Sequence, residues 1–301
     1  TGGCVYMKEG TYNINDSIVI ANNNISIIGC GPSTIIQTAT NITMIDASGS
    51  DNILTEKIQI IGAGVLANLN YGIYIYNSDN SIVRNCWISG CGNFVIRVSS
   101  SDDVLVEGNN IKNNWSSGIV WTNASLRGIV INNLCSSNAN QGIDLSSGCD
   151  YSIITGNQCN LSSNSEGVAL TESDFCIITN NECNNNLTHG INLTNCDKCD
   201  VEGNICDDNN RGNISYNGIN IDYTSDGNTI VGNICTTSRA NGSGISIDND
   251  SNENIISSNE CSGNGTWGIK IVNANCDKNL VTGNICLNNT TGAIQDLGTN
   301  T

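Results

Sequence analysis

The chain has 301 residues, with 11 Lys and Arg against 28 Asp and Glu, a net charge of −17. So few cations, spread along the chain, cannot build a basic face, which excludes nucleic acid as a partner. No run is apolar enough for membrane insertion. The 16 Cys point to an oxidising compartment, so the expected location is extracellular, at the cell surface. Apolar residues alternate or cluster in runs of three to four between Asn, Gly, Ser and Asp turns, which is strand and not helix periodicity.

Residues 1–65 read as irregular first coils, with Lys8-Glu9-Gly10-Thr11-Tyr12, then Ile18-Val19-Ile20, then Ile25-Ser26-Ile27-Ile28-Gly29-Cys30-Gly31. From residue 66 to 301 the units become increasingly regular. Gly72-Ile73-Tyr74-Ile75 opens one that closes on Asn85-Cys86-Trp87-Ile88. A full unit reads Gly-Ile-x-Ile, a polar turn, Ile-Ile-x-Gly-Asn-x-Cys and a second turn. Its cysteines, Cys135, Cys159, Cys183, Cys206, Cys235, Cys261 and Cys286, are separated by 24, 24, 23, 29, 26 and 25 residues. The step from Gly190 to Gly218 is 28 residues, so an insertion is expected at Asp207–Asn213.

One residue type at one phase of every unit is what a solenoid demands, because equivalent residues stack about 4.8 Å apart. The chain is therefore predicted to be all-β, a right-handed parallel β-helix (β-solenoid) of about eleven to twelve coils of roughly 24 residues, with 1–301 as one domain. Asn85, Asn109, Asn133, Asn157, Asn181, Asn204, Asn233, Asn259 and Asn284 are expected to form an amide ladder along the axis. The cysteine two residues later shares their side of the strand and is expected inside, with Trp87 and Ile111 in its slot in the earlier coils.

The repeat and the opening coils resemble the pectate-lyase-like superfamily of right-handed β-helices over nearly the whole chain. The resemblance implies the fold and leaves the activity open, since that fold hosts lyases, hydrolases, adhesins and structural proteins. Cysteine-rich, acidic chains of this kind also look similar to archaeal surface proteins.

Cys176 and Cys199 lie at one phase of adjacent coils, so a disulfide is expected between them. The column Cys135, Cys159, Cys183, Cys206, Cys235, Cys261 either pairs between coils or stays as buried thiols. Cys4–Cys30 and Cys86–Cys91 are further candidate pairs, and Cys4 is a candidate cross-link to another subunit. Fourteen Asn-x-Ser/Thr sequons occur, and Asn24, Asn114, Asn186, Asn213, Asn241 and Asn264 are candidate glycosylation sites.

Catalytic constellations are hard to assemble. The single histidine, His189, occupies a slot held by Gln141, Glu166, Asn217, Ser243 and Trp267 elsewhere and reads as a variable turn residue. Asp102-Asp103 reads as a turn. Asp222 and Asp248 share a phase in neighbouring coils and are weak candidates for Ca²⁺ or acid–base work; no other cofactor is implied. Tyr74, Tyr76, Trp115, Trp121, Tyr223 and Trp267 are candidate exposed aromatics for sugar contacts. These observations favour a non-enzymatic structural protein that assembles with itself into a disulfide-reinforced homopolymer, a sheath, surface layer or filament. The alternatives are a β-helical polysaccharide lyase or glycoside hydrolase, and an adhesin that binds cell-surface glycans.

Overall fold

The structure, a computed structural model, describes residues 2–64, 71–212, 214–239 and 241–299. Among these residues there is no helix, and the chain is a right-handed parallel β-solenoid of about twelve turns of roughly 24 residues. Contacts divide it into two compact units, 1–153 and 154–301.

In the first unit one sheet is a parallel stack with one strand per coil: Ile18–Val19, Ile45–Asp46, Ile73–Tyr76, Ile96–Ser99, Ile119–Thr122 and Ile143–Ser146. The other sheet begins with a 13-residue strand, Ile25–Gln37. Its register against Leu54–Ile61 shifts on either side of Gly31. Later coils break this long strand into two short ones, such as Leu105–Glu107 and Asn110–Lys112. The break is a left-handed residue, Asn85, Gly108 or Asn132, with φ of 53°, 62° and 56°. Gly and Asn tolerate that region best, and this is why the repeat reads Gly-Asn before its cysteine.

The second unit repeats this plan with Val168–Thr171, Ile191–Thr194, Ile219–Asp222, Ile245–Ile247, Trp267–Ile271 and Gly292–Asp296 in one sheet. Its left-handed bends are Gly156, Asn180, Gly203, Gly232, Ser258 and Gly283. Inward side chains such as Ile191, Leu193, Ile219 and Ile221 are 0% exposed.

Behind each bend runs the amide ladder. Asn233 Nδ2 donates to Asn259 Oδ1 (3.0 Å) and to Val201 O (2.8 Å), while its Oδ1 accepts from Asn204 N and Nδ2 (both 2.9 Å). The same pattern joins Asn157, Asn181, Asn204, Asn233, Asn259 and Asn284 in the second unit, and Asn109 to Asn133 in the first. Asn85 is not a rung. The register pairs Asn110 with Trp87, and the Cys86 amide donates to Asn109 Oδ1 (3.0 Å), so Cys86 fills the ladder slot. Asn85 is the left-handed bend one residue earlier. The same shift puts Ile88, not Trp87, opposite Ile111 in the cysteine slot.

A second amide ladder runs through Asn114 and Asn138 in the first unit, and joins Asn186 to Asn209 and Asn264 to Asn289 in the second. Three expected glycosylation sites fall in it. Asn114, Asn186 and Asn264 are 4%, 0% and 0% exposed, and the Nδ2 that a glycan would occupy donates to Ile88 O, Cys159 O and Cys235 O. Asn24 and Asn241 are exposed, and Asn213 lies outside the described residues.

The cysteines are present as thiols: the disulfide expected at Cys176–Cys199 is not formed, and of the two states left open for the column of Cys135, Cys159, Cys183, Cys206, Cys235 and Cys261 the structure has the buried thiols. Stacked residues leave their strands in the same direction, so their Cβ atoms repeat at about 4.8 Å, beyond the ~3.5–4.5 Å that a disulfide needs. Cys176 and Cys199 accordingly meet through a 3.4 Å bond from the Cys176 amide to Cys199 Sγ. Cys4 is paired with Ser26, four residues and roughly 13 Å along the strand from Cys30. Cys86 and Cys91 flank the strand Trp87–Ser89 and turn to different carbonyls, those of Arg84 and Ser89.

Candidate functional site

The outward face of the one-strand-per-coil sheet in the second unit carries a cleft of about 280 Å³. Its floor is the outward column Asn220, Ser246 and Lys270, held in register by parallel pairing. Asp222 and Asp248 follow Ile221 and Ile247, which are themselves paired, so the two carboxylates project one coil apart. The 28-residue step supplies one wall, as Ser215 and Tyr216 close the cleft beside His189.

Asn249, in the left-handed conformation at φ 46°, couples the carboxylates. Its Nδ2 donates to Asp222 Oδ1 (2.6 Å) and its amide N to Asp248 Oδ1 (2.8 Å). The Tyr223 amide and Asn273 Nδ2 complete the two Oδ1 shells at 2.9 Å each. One oxygen of each carboxylate is thus fixed by neutral donors.

His189 sits in the turn before Ile191–Thr194, as its variable slot implied, and is buried there at 8% exposure. Its Nδ1 accepts the Asn217 amide at 2.9 Å, which leaves the proton of the neutral ring on Nε2 as a donor. Tyr216 packs edge-on at 5.0 Å. Burial drives the His189 pKa down to about 4, against the opposing pull of Glu166, so the ring is neutral at pH 7. Asn217 Nδ2 donates to Asn220 Oδ1 (3.0 Å), and Asn220 Nδ2 donates to Asn192 Oδ1 (2.9 Å), so the amides on the cleft floor are oriented by one another.

Two neighbouring carboxylates, one lysine and aligned amide groups can bind sugar hydroxyls and perform proton transfer or nucleophilic attack. Among the described residues there is no group of three or more His, Cys, Asp or Glu that could hold a metal ion.

The first unit carries a different surface. Tyr71, Tyr74 and Tyr76 stack in succession at 5.3 and 5.8 Å, and Arg97 lies 5.5 Å over both Tyr74 and Phe94. Trp121, expected outside, is 0% exposed; its indole occupies the space that a side chain at Gly128 would fill, with Nε1 2.6 Å from the position of a Cβ there. Asp102 and Asp103 are both tied to Arg127, at 3.0 and 2.7 Å.

Sequence reasoning singled out Asp222 and Asp248 but missed Tyr216, Asn217, Asn220 and Lys270. The insertion between Gly190 and Gly218 was the available signal, because added length in a solenoid turn builds walls beside a sheet.

The family description "Right handed beta helix region" matches residues 2–159, and "Periplasmic copper-binding protein (NosD)" matches residues 158–300. No curated protein matches in sequence. Among solved structures, the mannuronan C-5 epimerase AlgE4 A-module of Azotobacter vinelandii superposes with a TM-score of 0.86 at 14% identity, covering 99% of this chain and 90% of that one. The Dettilon tailspike protein gives 0.80 at 16%, covering 98% and 61%, and the catalytic domain of a GH87 alpha-1,3-glucanase 0.68 at 16%, covering 98% and 62%. The expectation of a non-enzymatic chain is corrected here, because an epimerase module and a glucanase catalytic domain share this fold over 98–99% of its length.

Proposed function

The chain belongs to the right-handed β-helix family, and on that premise we propose that it is an extracellular polysaccharide-active enzyme that hydrolyses glycosidic bonds of a neutral glycan at the second-unit cleft. The observation that carries this reading is the delivery of Asp222 and Asp248, from consecutive coils, to one cleft floored by Asn220 and Lys270. One carboxylic acid protonates the leaving oxygen while the other carboxylate attacks the anomeric carbon; water, deprotonated by the first residue, then cleaves the glycosyl–enzyme ester, which gives the sugar its hydroxyl and returns both carboxyl groups to their starting states. Equivalent positions one coil apart lie about 4.8 Å from each other, close to the ~5–5.5 Å of retaining glycosidases, so net retention is expected.

Charge selects the substrate class. Residues 154–301 hold five Lys and Arg against seventeen Asp and Glu, a net of −12. A surface of that sign repels a polyuronate and tolerates a neutral chain. The tyrosine stack of the first unit supports an additional role in holding sugar rings. A periplasmic description for the model that matches residues 158–300 supports a place outside the cytoplasm. No helix is long and apolar enough to cross a membrane among the described residues. A self-assembling sheath has less support than this reading, since the solved structures that share the fold include an epimerase module and a glucanase catalytic domain.

The test is incubation of the purified chain at low salt with neutral glucans and mannans beside alginate and pectate. New reducing ends from a neutral glycan are expected. Unsaturated uronate ends or epimerised uronates, with neutral glycans untouched, would overturn the proposal.

A further inference from the structure

Cys196-Asp197-Lys198-Cys199, the single C-x-x-C of the chain, has no part in the proposed hydrolysis. It spans the corner at which the chain leaves the strand Ile191–Thr194. The corner that follows the strand Ile73–Tyr76 has the same backbone. In both, a left-handed residue comes directly after the strand (Asn77, φ 49°; Asn195, φ 54°), and another takes the third corner position (Asn80, φ 55°; Lys198, φ 54°). The first and fourth residues of the earlier corner are Ser78 and Ser81, and their hydroxyl oxygens meet at 3.0 Å. Ser81 Oγ also donates to Asp79 O (3.5 Å), as Cys199 Sγ does to Asp197 O (3.6 Å), so the fourth side chain turns the same way in both. The first residue is held alike too: Ser78 N donates to Ser101 Oγ (3.0 Å) and Cys196 N to Ser225 Oγ (3.1 Å). Cys196 and Cys199, both buried, thus carry sulfur at the two positions whose oxygens are in contact in the serine corner.

We propose that Cys196 and Cys199 are a site of oxidative modification, a thiol pair that closes to a disulfide across this corner. Stacked coils hold equivalent Cβ atoms about 4.8 Å apart on parallel bonds, whereas the first and fourth side chains of one corner converge, as a disulfide requires. The other corners that hold a cysteine pair it with a different residue: Cys149 with Ser152, Cys176 with Ser173 and Cys276 with Asn279. The bond is therefore confined to one coil. The oxidant is a small-molecule disulfide. The Cys199 thiolate, whose sulfur accepts the Cys176 amide at 3.4 Å, attacks one sulfur of it and expels a thiolate. Cys196 then loses its proton and attacks Cys199 Sγ, which expels the second. Two protein thiols are oxidised, one small disulfide is reduced to two thiols, and those thiols take up the two protons. Burial pushes the Cys196 thiol up to about 12, and the Cys176 thiol and burial push Cys199 up as well. The exchange is accordingly slow at pH 7 and accelerates as pH rises. The corner also underlies the cleft: Asn195 N donates to Asp222 O (3.1 Å), and Ser225 Oγ, which accepts Cys196 N, donates to the same carbonyl (2.6 Å). Closing the bond fixes the backbone on which Asp222 rests.

The test uses the full chain carrying Cys4→Ser and Cys30→Ser, which removes the two exposed thiols and leaves fourteen of the sixteen cysteines. The reduced protein is incubated with oxidised glutathione at mildly alkaline pH, and its remaining thiols are alkylated in denaturant. It is then cut with trypsin and a glutamate-specific protease and read by mass spectrometry. Trypsin cuts after Lys198, between the two cysteines, so an intact bond holds peptides 183–198 and 199–202 together. That linked pair is expected, with fragmentation placing the bond at Cys196 and two thiols lost to it. Cys196→Ser and Cys199→Ser should each lack the linked pair, and Cys276→Ser should keep it. Ser78 and Ser81 show that serine fits both corner positions, and far-UV circular dichroism checks that each variant is folded. Absence of the linked pair after prolonged oxidation of the parent, its survival in Cys196→Ser, or a bond from Cys199 to Cys176 would overturn the site.

Discussion

Residues 2–153 fill the slot behind the amide ladder with Ile88, Ile111 and Cys135, whereas residues 154–299 fill it with six cysteines in succession. The first unit thus keeps aliphatic side chains in most of that slot and stacks Tyr74 against Tyr76 on its outward face, while Trp121 is buried in its core. The second thins its core to sulfur against glycine and places carboxylates, amides and a lysine outside. The difference teaches that a solenoid can keep one backbone plan while the contents of each column change independently. Function can then be added to one face without disturbing the ladder beneath it.

The largest effect should come from breaking that shared ladder. Asn233→Ala takes away the acceptor shared by the buried Asn204 backbone amide and Asn204 Nδ2, and one donor to the Val201 carbonyl. At about 1–3 kcal/mol for each orphaned group, the loss should be roughly 3–5 kcal/mol, read from the urea midpoint. Asn85→Ala, at a left-handed bend outside the ladder, should cost about 1–2 kcal/mol. Similar losses at the two positions would return Asn85 to the ladder.

Next in size is the filling of the slot itself. Ile111→Ala in the first unit should cost about 2–5 kcal/mol through the cavity it opens. Cys206→Ala in the second removes one methylene-sized group and should cost about 1 kcal/mol. Equal costs would erase the contrast between an aliphatic and a sulfur column.

His189 gives the second unit its own pH dependence. Its folded pKa, about 4, is below the unfolded value near 6.5, so the unfolded chain binds the extra proton first. The stability this contributes is complete above about pH 6.5 and is lost as pH falls towards 4, by ~3 kcal/mol. Urea melts at pH 7 and 4.5 should show that loss in the wild type and a smaller one in His189→Gln. An identical pH response in both would remove burial of a neutral ring as its cause. The smallest perturbation concerns glycans. Expression in a glycosylating host followed by peptide mapping should find sugar on Asn24 or Asn241 and none on Asn114, Asn186 or Asn264.

The amino-acid pattern carried the fold further than the site, for identifiable reasons. Stacking repeats a residue type at one phase, so the Asn and Cys columns are visible as spacing alone. Asn85 misleads because the left-handed bend accepts Asn as readily as Gly, as Asn132 and Asn180 also show, and strand register is what separates bend from rung. The sequons mislead because Asn186-Leu187-Thr188 satisfies a local motif with an amide already committed to Cys159 and Asn209. The cleft stayed hidden because its residues repeat nothing: His189, Asn217 and Ser243 occupy one slot with three chemistries, and Tyr216 belongs to an insertion.

The central claim is that Asp222 and Asp248 act together on a bound glycan. The most direct measurement is turnover of a neutral oligosaccharide by Asp222→Asn and Asp248→Asn, with binding followed separately by calorimetry. A fall of about 10²–10⁴ in kcat for each variant, with Kd unchanged, is predicted. Turnover that survives both substitutions would contradict the assignment and move the chemistry away from this cleft.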